Sequence, residues 1–389
     1  MSFSAGARHL FVAQTTLQLM LSAAQASHLQ HQGGVCDLLL IPDFKNPDLI
    51  RQALSRWNAS PFQRVEFAEP RVAPGLERHA RPEWSDVVRT IHQAVDRAEL
   101  EAVYVFNDRQ DVGQAVLIRT AQQCPQARRR CIEDGAQAYS NFVYRQAGWF
   151  RVLRRRRRCG GQWADIRVLG THPLVQEFLA IYPDLVRDAL QSRVYPMAAG
   201  ALASPAMIEF ATLIASACGY VHVSNPGGNS AVLALSHSSY AARNPAYAAS
   251  VQAAAKALVG AGVSVAYKYH PRETDTDYLK IVALGGETRE VPRELPIECV
   301  YLLYGKAAVL LIGGMSTTLL TGGLMLPNVS LLGIAQANES QDAWSAQMLD
   351  RIGLQVTQDQ SELLTSIQRW ITNSASDSVV ERADAPGRS

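Results

Sequence analysis

The sequence has little excess charge and few cysteines. Lysine and arginine total 37 against 35 aspartates and glutamates, and a net charge of +2 argues against a general polyanion binder, so no nucleic acid partner is expected. Six cysteines are scattered without a CxxC pair or a histidine at zinc spacing: Cys36, Cys124, Cys131, Cys159, Cys218 and Cys299. Neither a disulfide framework nor a metal site is therefore indicated, and reduced, mostly buried thiols are expected.

The sequence also lacks a long hydrophobic run. The apolar stretch that begins at Leu10 is interrupted by glutamines and has only Arg8 as a positive flank, so neither a secretory segment nor a membrane span is predicted. We expect a cytoplasmic protein. The composition, 48% hydrophobic and 19% charged, is that of a soluble globular chain, and 389 residues suggest two domains of about 190 each.

Short apolar runs alternate with helical stretches in the first half of the chain. The run at 9–13 leads into a helical segment at 17–24, and further runs follow at 37–42, 102–106 and 130–132. Because the apolar residues of these runs are consecutive rather than alternating, they predict four strands of a parallel sheet that is covered on both faces.

The second half repeats this pattern after a boundary rich in Ala, Gly, Ser and Pro at about residues 198–207. Predicted strands lie at 219–224, 263–267, 308–312 and 329–332, and predicted helices at 247–260, 296–305, 341–354 and 361–371. The fold class is therefore predicted as α/β, with two Rossmann-like, doubly wound domains facing a central cleft. We place them at residues 1–200 and 201–372, followed by a disordered tail at 373–389.

Ligands of such folds bind beyond the carboxyl ends of the strands, so the residues after each apolar run are candidate site residues. Glu133 and Asp134 follow the run at 130–132 and precede Gly135, which permits a sharp turn. Adjacent side chains on a strand point to opposite faces, so one carboxylate is expected to function, and we prefer Asp134. A solvated acidic turn is the alternative.

The strand at 263–267 runs into a segment that contains Lys268, His270, Pro271 and Arg272. Three such basic side chains at a strand end suit an anionic leaving group, and the proline restricts the backbone beside the histidine. A second His-Pro pair, which begins at His172, lacks both the strand and the cations, and we interpret it as structural.

Two predicted helix starts in the second half carry further polar groups. Glu298 stands in the first turn of the helix at 296–305, where it can accept hydrogen bonds from ribose hydroxyls or simply favour the helix dipole. The segment at 313–318 joins a strand to a helix, and its glycines, hydroxyls and free N–H groups suit a phosphate, with Gly314, Ser316, Thr317 and Thr318 as candidates. It matches neither the P-loop nor the dinucleotide fingerprint.

Two charged segments remain. The Asp-Thr-Asp triplet at 275–277 has the letters of a metal-binding motif of sugar transferases, but it does not follow a strand, and a metal role is not favoured. Arg151 and the run at 154–158 form the one strong charge cluster. They are either a solvated loop or a contact to an anionic acceptor or lipid headgroups, and Arg154 and Arg155 are our candidates for that contact.

Together these motifs resemble those of the bacterial lipooligosaccharide sialyltransferases and capsular polysialyltransferases, glycosyltransferase families 52 and 38. The matching segments agree in order and approximate spacing: residues 10–19, Glu133-Asp134-Gly135, Lys268-Tyr269-His270-Pro271, Pro296-Ile297-Glu298 and Ser316-Thr317-Thr318. The chain departs from the family pattern at Thr16, where proline is usual, and at Thr317, where a second serine is common.

The resemblance implies a GT-B fold and the inverting transfer of sialic acid from CMP-sialic acid to a cell-surface glycan, without metal or cofactor. It implies Asp134 as general base, with Glu133 beside it, and His270 as acid or hydrogen-bond donor to the phosphate. The implied CMP site comprises Lys268, Pro271, Glu298, Gly314, Ser316, Thr317 and Thr318. Thr15, Thr16 and Gln18 are implied for the donor sugar or acceptor, and a peripheral contact with anionic inner-membrane lipids is a further expectation from the arginine run.

Three alternatives stay open. The same scaffold can use another nucleotide sugar, such as another nonulosonic acid, Kdo or a hexose on a uridine nucleotide. An inactive nucleotide-sugar-binding subunit of polysaccharide assembly is a second alternative, although retention of both the acidic motif and His270 argues against it. A nucleotide-sugar epimerase would share the architecture and would need no acceptor.

Overall fold

The chain forms two α/β units, Met1–Phe210 and Ala211–Ser389, each with its own parallel sheet. The computed structural model describes residues 6–44, 46–68, 83–97, 99–140, 142–222, 229–274, 277–335 and 346–383. The predicted fold class, two Rossmann-like units with parallel sheets, is confirmed.

Seven strands form the sheet of the first unit: β1 Arg8–Ala13, β2 Val35–Leu40, β3 Arg64–Phe67, β4 Leu100–Val105, β5 Arg128–Ile132, β6 Glu177–Ala180 and β7 Val194–Pro196. They lie in the order β3-β2-β1-β4-β5-β6-β7, with parallel pairing throughout the described strands. The helices of this unit are α1 Thr16–His31, α2 Pro47–Arg56, α3 Trp84–Asp96, α4 Asp111–Gln123, α5 Trp149–Cys159 and α6 Asp188–Gln191.

The central strands of this sheet are buried on both faces, as their apolar composition predicts. In β1, Phe11 is fully buried and stacks on Tyr104 of β4, with 4.2 Å between the ring centroids. Side chains of neighbouring strands thus pack against each other beneath the covering helices, which is the arrangement a parallel sheet requires.

The next helix, α7 Pro205–Ala217, crosses the boundary between the units. Its first half is held to the end of α2, because the Trp57 indole donates to the Ala206 carbonyl at 2.9 Å and stacks on Phe210. The Glu209 carboxylate also accepts from two backbone N–H groups that follow Trp57. These contacts explain why the first unit extends to Phe210, ten residues past the boundary that composition predicts.

Six strands form the sheet of the second unit: β8 Ser230–Ala234, β9 Ser264–Lys268, β10 Thr288–Glu290, β11 Val309–Gly314, β12 Val329–Ile334 and β13 Leu354–Thr357. They lie in the order β10-β9-β8-β11-β12-β13, again with parallel pairing in the described strands. The helices are α8 Ser238–Arg243, α9 Pro245–Gly260, α10 Ile297–Tyr304, α11 Thr317–Met325, α12 Ala346–Arg351 and α13 Gln360–Ala383.

Two expectations from the sequence need correction here. Residues 219–222 of the predicted strand at 219–224 are not in a strand, and 223–224 lie outside the described residues. The first strand of the second sheet is β8 instead. The arginine run belongs to helix α5 rather than to a loop.

The end of the chain also differs from the sequence pattern. The predicted helix at 341–354 reduces, in its described part, to α12, and β13 begins at Leu354. Helix α13 continues to Ala383, whereas composition predicts a disordered tail from residue 373. Among the described residues, no helix combines the length and the apolar character needed to cross a membrane.

Candidate active site

The topological switch point of the first sheet lies between β1 and β4. The chain adds β2 and β3 on one side of β1 and the later strands on the other, so the connections after β1 and β4 leave in opposite directions. Such a point opens a crevice at the carboxyl ends of the strands, where ligands of doubly wound folds bind. Thr15 follows β1, Asn107 follows β4, and Asp134 follows the adjacent β5.

Asp134 stands half-buried at this edge. The residue after it, Gly135, has a φ of +76°, a left-handed conformation that side chains other than glycine's adopt only with strain. The chain therefore turns directly after the carboxylate. Burial raises the pKa of Asp134 above that of an ordinary aspartate, opposed by hydrogen bonds from Gln18 and Asn107.

The start of α1 positions Gln18 for this contact. Thr15 is the N-cap of the helix, and its hydroxyl accepts from the Gln18 backbone N–H at 3.2 Å. The Gln18 side chain then accepts from the Gln14 N–H at 2.8 Å and donates to Asp134 Oδ1 at 3.1 Å. The structure thus brings Thr15, Gln18 and Asp134 together, and it places Thr16 in the first turn of the same helix.

Asn107 was not identified from the sequence, although it directly follows an apolar run. Its Oδ1 accepts from the N–H groups of Arg109 and Gln110, both at 3.2 Å, which leaves its amide nitrogen to donate to Asp134. Helix α4 packs closely against Asn107 because residue 113 is glycine. A Cβ on Gly113 would lie 2.3 Å from the Asn107 carbonyl oxygen. The rule that ligands bind beyond strand ends could have found Asn107.

Glu133, by contrast, is buried away from solvent. Its Oε2 accepts from the Tyr139 hydroxyl and from the Ile181 N–H, and the same hydroxyl accepts from the Tyr182 N–H. Burial raises the pKa of Glu133 to about 7. Because this carboxyl group ties the end of β5 to the residues after β6, we keep Asp134 alone as the candidate base.

Two arginines and a tyrosine from three loops form a cationic cluster: Arg109 precedes α4, Tyr144 precedes α5 and Arg187 precedes α6. The Arg109 guanidinium lies over the Tyr144 ring at 4.1 Å, and Arg187 is within electrostatic range of the Tyr144 hydroxyl. Arg109 Nε, with Nε and Nη2 of Arg187, is buried without a hydrogen-bond partner among the described residues. Burial lowers the pKa of Arg187, so an anionic group bound there would relieve a desolvated charge.

The switch point of the second sheet lies between β8 and β11. From β8 the chain adds β9 and β10 on one side, and β11 to β13 occupy the other. His237 follows β8, His270 follows β9, and Ser316 follows β11, so these three residues come from the carboxyl ends of neighbouring strands.

His270 and His237 face each other at the ends of β9 and β8. Their ring centroids are 5.6 Å apart and their planes cross at 80°. The Nδ1 of His270 accepts from the Arg272 N–H at 3.2 Å, and the Nδ1 of His237 accepts from the Ser239 N–H at 3.1 Å. In each neutral ring the remaining hydrogen therefore sits on Nε2, which leaves two Nε2–H donors.

Charge and burial keep the His270 ring mostly neutral at pH 7. Burial lowers its pKa, and the neighbouring His237 and Arg272 lower it further. A neutral ring retains its Nε2–H group and can donate a hydrogen bond to an anionic oxygen. His237 was missed from the sequence because the strand before it was missed.

Glu273 joins the two histidine segments. Its Oε2 accepts from the Ser238 N–H at 2.6 Å and lies 4.0 Å from His237 Nε2. Its Oε1 accepts from the N–H of Thr274 at 2.8 Å. The carboxylate thus holds the first turn of α8 against the segment that contains His270, where the exposed Pro271 begins the turn.

Lys268 and Glu298 occupy buried positions beneath these loops. The Lys268 ammonium donates to the carbonyls of Pro292 and Arg293 at 3.0 and 3.1 Å, and burial lowers its pKa to about 8. Burial raises the pKa of Glu298, which Lys268 and a hydrogen bond with Thr321 counteract. Lys268 thus connects the end of β9 to the segment before α10, and Glu298 connects α10 to α11.

The start of α11 presents three consecutive hydroxyl side chains at the end of β11. Ser316 is the N-cap of the helix and is exposed, and its hydroxyl makes no capping hydrogen bond within α11. Thr317 and Thr318 follow in the first turn, half-buried. At the end of β11, a Cβ on Gly314 would lie 3.0 Å from the Ser236 hydroxyl, so the glycine admits the β8 loop close to this helix end. A phosphate is the natural ligand of such a terminus.

The remaining candidates lie apart from these two sets. Arg155 of α5 is paired with Asp111 at 3.3 Å, whereas Arg154 of the same helix is exposed. Asp277 accepts from the Tyr269 hydroxyl and the Ile281 N–H, and residues 275–276 lie outside the described residues. Within the described ranges, no group of three His, Cys, Asp or Glu side chains is arranged to hold a metal ion.

Comparisons with known proteins show the fold and no closer relationship. No family model matches the sequence, and no curated protein matches it either. The UDP-GlcNAc 2-epimerase of Methanocaldococcus jannaschii superposes with a TM-score of 0.55 at 8% identity, over 93% of this chain and 92% of that one. That of Neisseria meningitidis, bound to UDP-GlcNAc, reaches 0.53 at 9% identity, over 95% and 94%.

A third solved structure is the ADP-heptose heptosyltransferase II of E. coli, with a TM-score of 0.49 at 11% identity, over 95% of this chain and 99% of that one. The similarity to the epimerases extends over both units. The chain therefore has a fold of the GT-B type, and identities this low carry no statement about its reaction.

Proposed function

We propose that this chain is an inverting, metal-independent glycosyltransferase that moves sialic acid from CMP-sialic acid to a cell-surface glycan, a lipooligosaccharide or a capsular polysaccharide. One observation carries the proposal: a carboxylate held by two side-chain amides occupies one switch point, and a pair of histidines whose Nδ1 atoms accept from backbone N–H groups occupies the other. A base and a phosphate hydrogen-bond donor are what a glycosyl transfer from a nucleotide needs.

Asp134 is the proposed base. The acceptor hydroxyl attacks the anomeric carbon, a new C–O bond forms, and the hydroxyl proton passes to the Asp134 carboxylate. Gln18 and Asn107 hold that carboxylate in place, and its raised pKa makes it a better proton acceptor than an exposed aspartate. Attack on the side opposite to the leaving group inverts the configuration.

The second unit receives the leaving group in this proposal. As the bond from the anomeric carbon to the phosphate oxygen breaks, both bonding electrons go to the phosphate of CMP. The Nε2–H of His270 donates to that phosphate, with His237 as a second donor, and the first turn of α11 with Ser316 accommodates the negative charge.

The motifs shared with the sialyltransferases support CMP-sialic acid as donor, whereas no residue described above reads the sugar itself. The alternative is another nucleotide sugar on the same fold. An epimerase acting on a uridine nucleotide sugar is its most specific form, because UDP-GlcNAc 2-epimerases share the fold over both units. Such an enzyme would convert the nucleotide sugar without any acceptor.

The decisive experiment follows hydrolysis and transfer with CMP-N-acetylneuraminic acid and, in parallel, with UDP-GlcNAc and other uridine and cytidine sugars, in buffer containing EDTA. We expect turnover of the CMP-sialate alone, reduced roughly 10²–10⁴-fold in His270→Ala. The matched control is His92→Ala, an exposed histidine of α3. Conversion of UDP-GlcNAc without acceptor would replace the proposal with the epimerase, and nucleotide binding without any turnover would replace it with a binding subunit.

Asp134→Asn separates the base from the donor site. The variant should lose transfer by a similar factor while it binds CMP with unchanged affinity, because its substitution leaves the second unit intact. In the wild type, transfer should fall as the pH drops through the raised pKa of Asp134, at a higher pH than for an ordinary aspartate. Unchanged transfer by Asp134→Asn would remove this residue from the mechanism.

A further inference from the structure

The outer surface of helix α5 and of the loop before it is unusually apolar. Nine large hydrophobic side chains are exposed in the described part of the chain, and five of them fall between residues 142 and 153: Phe142, Val143, Trp149, Phe150 and Leu153. Trp149 and Phe150 are 66% and 71% exposed and stack on each other, with 3.5 Å between the ring centroids. We call these five side chains, with the arginines described next, the α5 surface.

The helix is amphipathic, and its inner side accounts for part of the arginine run. Val152 and Cys159 pack in a small apolar cluster with Trp163. Arg155 and Arg158 turn to the Asp111 carboxylate at 3.3 and 3.5 Å. These contacts, with a hydrogen bond from Arg156 Nε to the Trp163 carbonyl at 3.2 Å, anchor α5 and leave its opposite side exposed.

Three arginines accompany the aromatic side chains on the exposed side, namely Arg151, Arg154 and Arg157. They belong to a strongly basic part of the chain. Between residues 135 and 176 there are eight arginines and one acidic residue, Asp165, for a net charge of +7 in a protein whose total is +2. The rest of the chain is therefore acidic, and the positive field is concentrated around α5.

We propose that the α5 surface binds the protein to the surface of a bilayer that contains anionic lipids. Trp, Phe and Leu on one exposed helix face with arginines beside them are the pattern of an interfacial helix that inserts shallowly. The arginines would reach the negative headgroups, and the rings the boundary with the acyl chains. A soluble polyanion would engage the arginines alone and leave the exposed rings unexplained. This inference does not depend on the proposed reaction.

Co-sedimentation with vesicles tests the proposal on the full-length protein. We compare phosphatidylcholine vesicles with vesicles that also contain phosphatidylglycerol. The wild type should bind the anionic vesicles and not the zwitterionic ones. The triple variant Trp149→Ser, Phe150→Ser, Leu153→Ser should lose roughly a hundredfold in partitioning at 0.15 M salt, because it removes the inserted apolar groups.

A second triple variant, Arg151→Gln, Arg154→Gln, Arg157→Gln, isolates the charges. Each arginine near an anionic surface is worth roughly fivefold in binding, so this variant should lose about a hundredfold on anionic vesicles. The matched control is Arg56→Gln, Lys256→Gln, Arg369→Gln, which removes three exposed cations elsewhere. Because all nine side chains are accessible, the thermal midpoint of each variant should stay that of the wild type.

Three results would overturn the proposal. The first is unchanged vesicle binding by the serine variant, together with heparin binding that depends only on the arginines, which would assign the surface to a soluble polyanion. The second is a wild-type dimer that becomes monomeric in the serine variant without vesicle binding in either, which would assign it to a second copy. The third is an equal loss in the control variant, which would reduce the effect to net charge.

Discussion

Glu133 and Asp134 are adjacent acids whose surroundings assign them different roles. Asp134 lies at the rim of the sheet, held by two side-chain amides, whereas Glu133 is enclosed by Tyr139 and the backbone of Ile181. Adjacent side chains on an extended chain point to opposite faces, so one acid of the pair is expected inside and the other at the edge. The chain then turns at Gly135, directly after Asp134.

The buried carboxyl group of Glu133 should make stability depend on pH. Its pKa is raised from 4.5 to about 7, so the folded protein binds a proton that the unfolded chain has released at the pH values between. Its contribution is fully present below about pH 4.5 and is lost as the pH rises through about 7. Its full size is roughly 3 kcal/mol. We therefore expect Glu133→Gln, measured against wild type by urea unfolding, to gain about that much between pH 5 and pH 8.

Any effect of the new amide group on the free energy of unfolding that does not depend on pH is the same at pH 5 and pH 8, and it cancels in the difference. Glu101→Gln, which changes a half-buried acid in the neighbouring strand β4, is the matched control for an acid-to-amide substitution in the same sheet. Parallel curves for Glu133→Gln and wild type would mean that Glu133 is ionised in the folded protein at all these pH values.

At the level of elements, helix α5 shows that a run of like charges can form a regular helix. The run at 154–158 suggests a loop when only its charge is considered, yet arginine is a good helix former. The spacing of Val152, Arg155 and Cys159 places one side of the helix against the unit. The inward arginines find a shared carboxylate in Asp111, at the start of α4.

Asp111→Asn should therefore loosen α5 specifically. The change removes two partly exposed ion pairs, which together are worth about 1 kcal/mol, so amide exchange of residues 149–159 should quicken roughly fivefold. Hydrogen exchange with mass spectrometry resolves this peptide. Asp48→Asn, which removes one exposed ion pair from the first turn of α2, should leave α5 unchanged. Equal exchange in both variants would show that the apolar cluster alone holds α5.

Three of the strands that sequence patterns missed share a physical reason. Strands β3, β7 and β10 are short and carry charged or proline residues, so they have no continuous apolar run. Their strand conformation depends on pairing with a neighbour already in the sheet. Strand β8 is apolar but short, and the sequence pattern placed a strand at 219–224 instead, where the described residues 219–222 are not in a strand.

At the scale of the whole molecule, each unit has its own sheet and its own buried side chains. In the second unit, a single cluster joins β8, β9, β11 and β12 to α9 and α13. A cavity within that cluster should therefore destabilise one unit. Leu233→Ala, in β8, should cost about 2–5 kcal/mol and lower the amide protection of β9 and β11 while β1 and β4 keep theirs.

The reciprocal variant is Leu39→Ala, in the buried part of β2, which should lower protection in the first sheet alone. Hydrogen exchange measured on both variants tests these two expectations. A loss of protection in both sheets from either variant would show that the two units unfold as one cooperative body.

By itself, the sequence determined the class of fold and identified two candidate residues that lie at the switch points. Continuous apolar runs separated by helices can be buried only in a parallel sheet covered on both faces, and the same runs show where each strand ends. Asp134 and His270 lie just past the ends of such runs, so local patterns sufficed to identify them as candidates.

Only the tertiary structure decided which strand ends are neighbours. It set β8 between β9 and β11, which brings His237 beside His270, and β4 between β1 and β5, which brings Asn107 beside Asp134. It also chose which arginines of α5 turn inward. Strand order and side-chain partners depend on contacts between residues far apart in the chain, and local periodicity carries no record of those contacts.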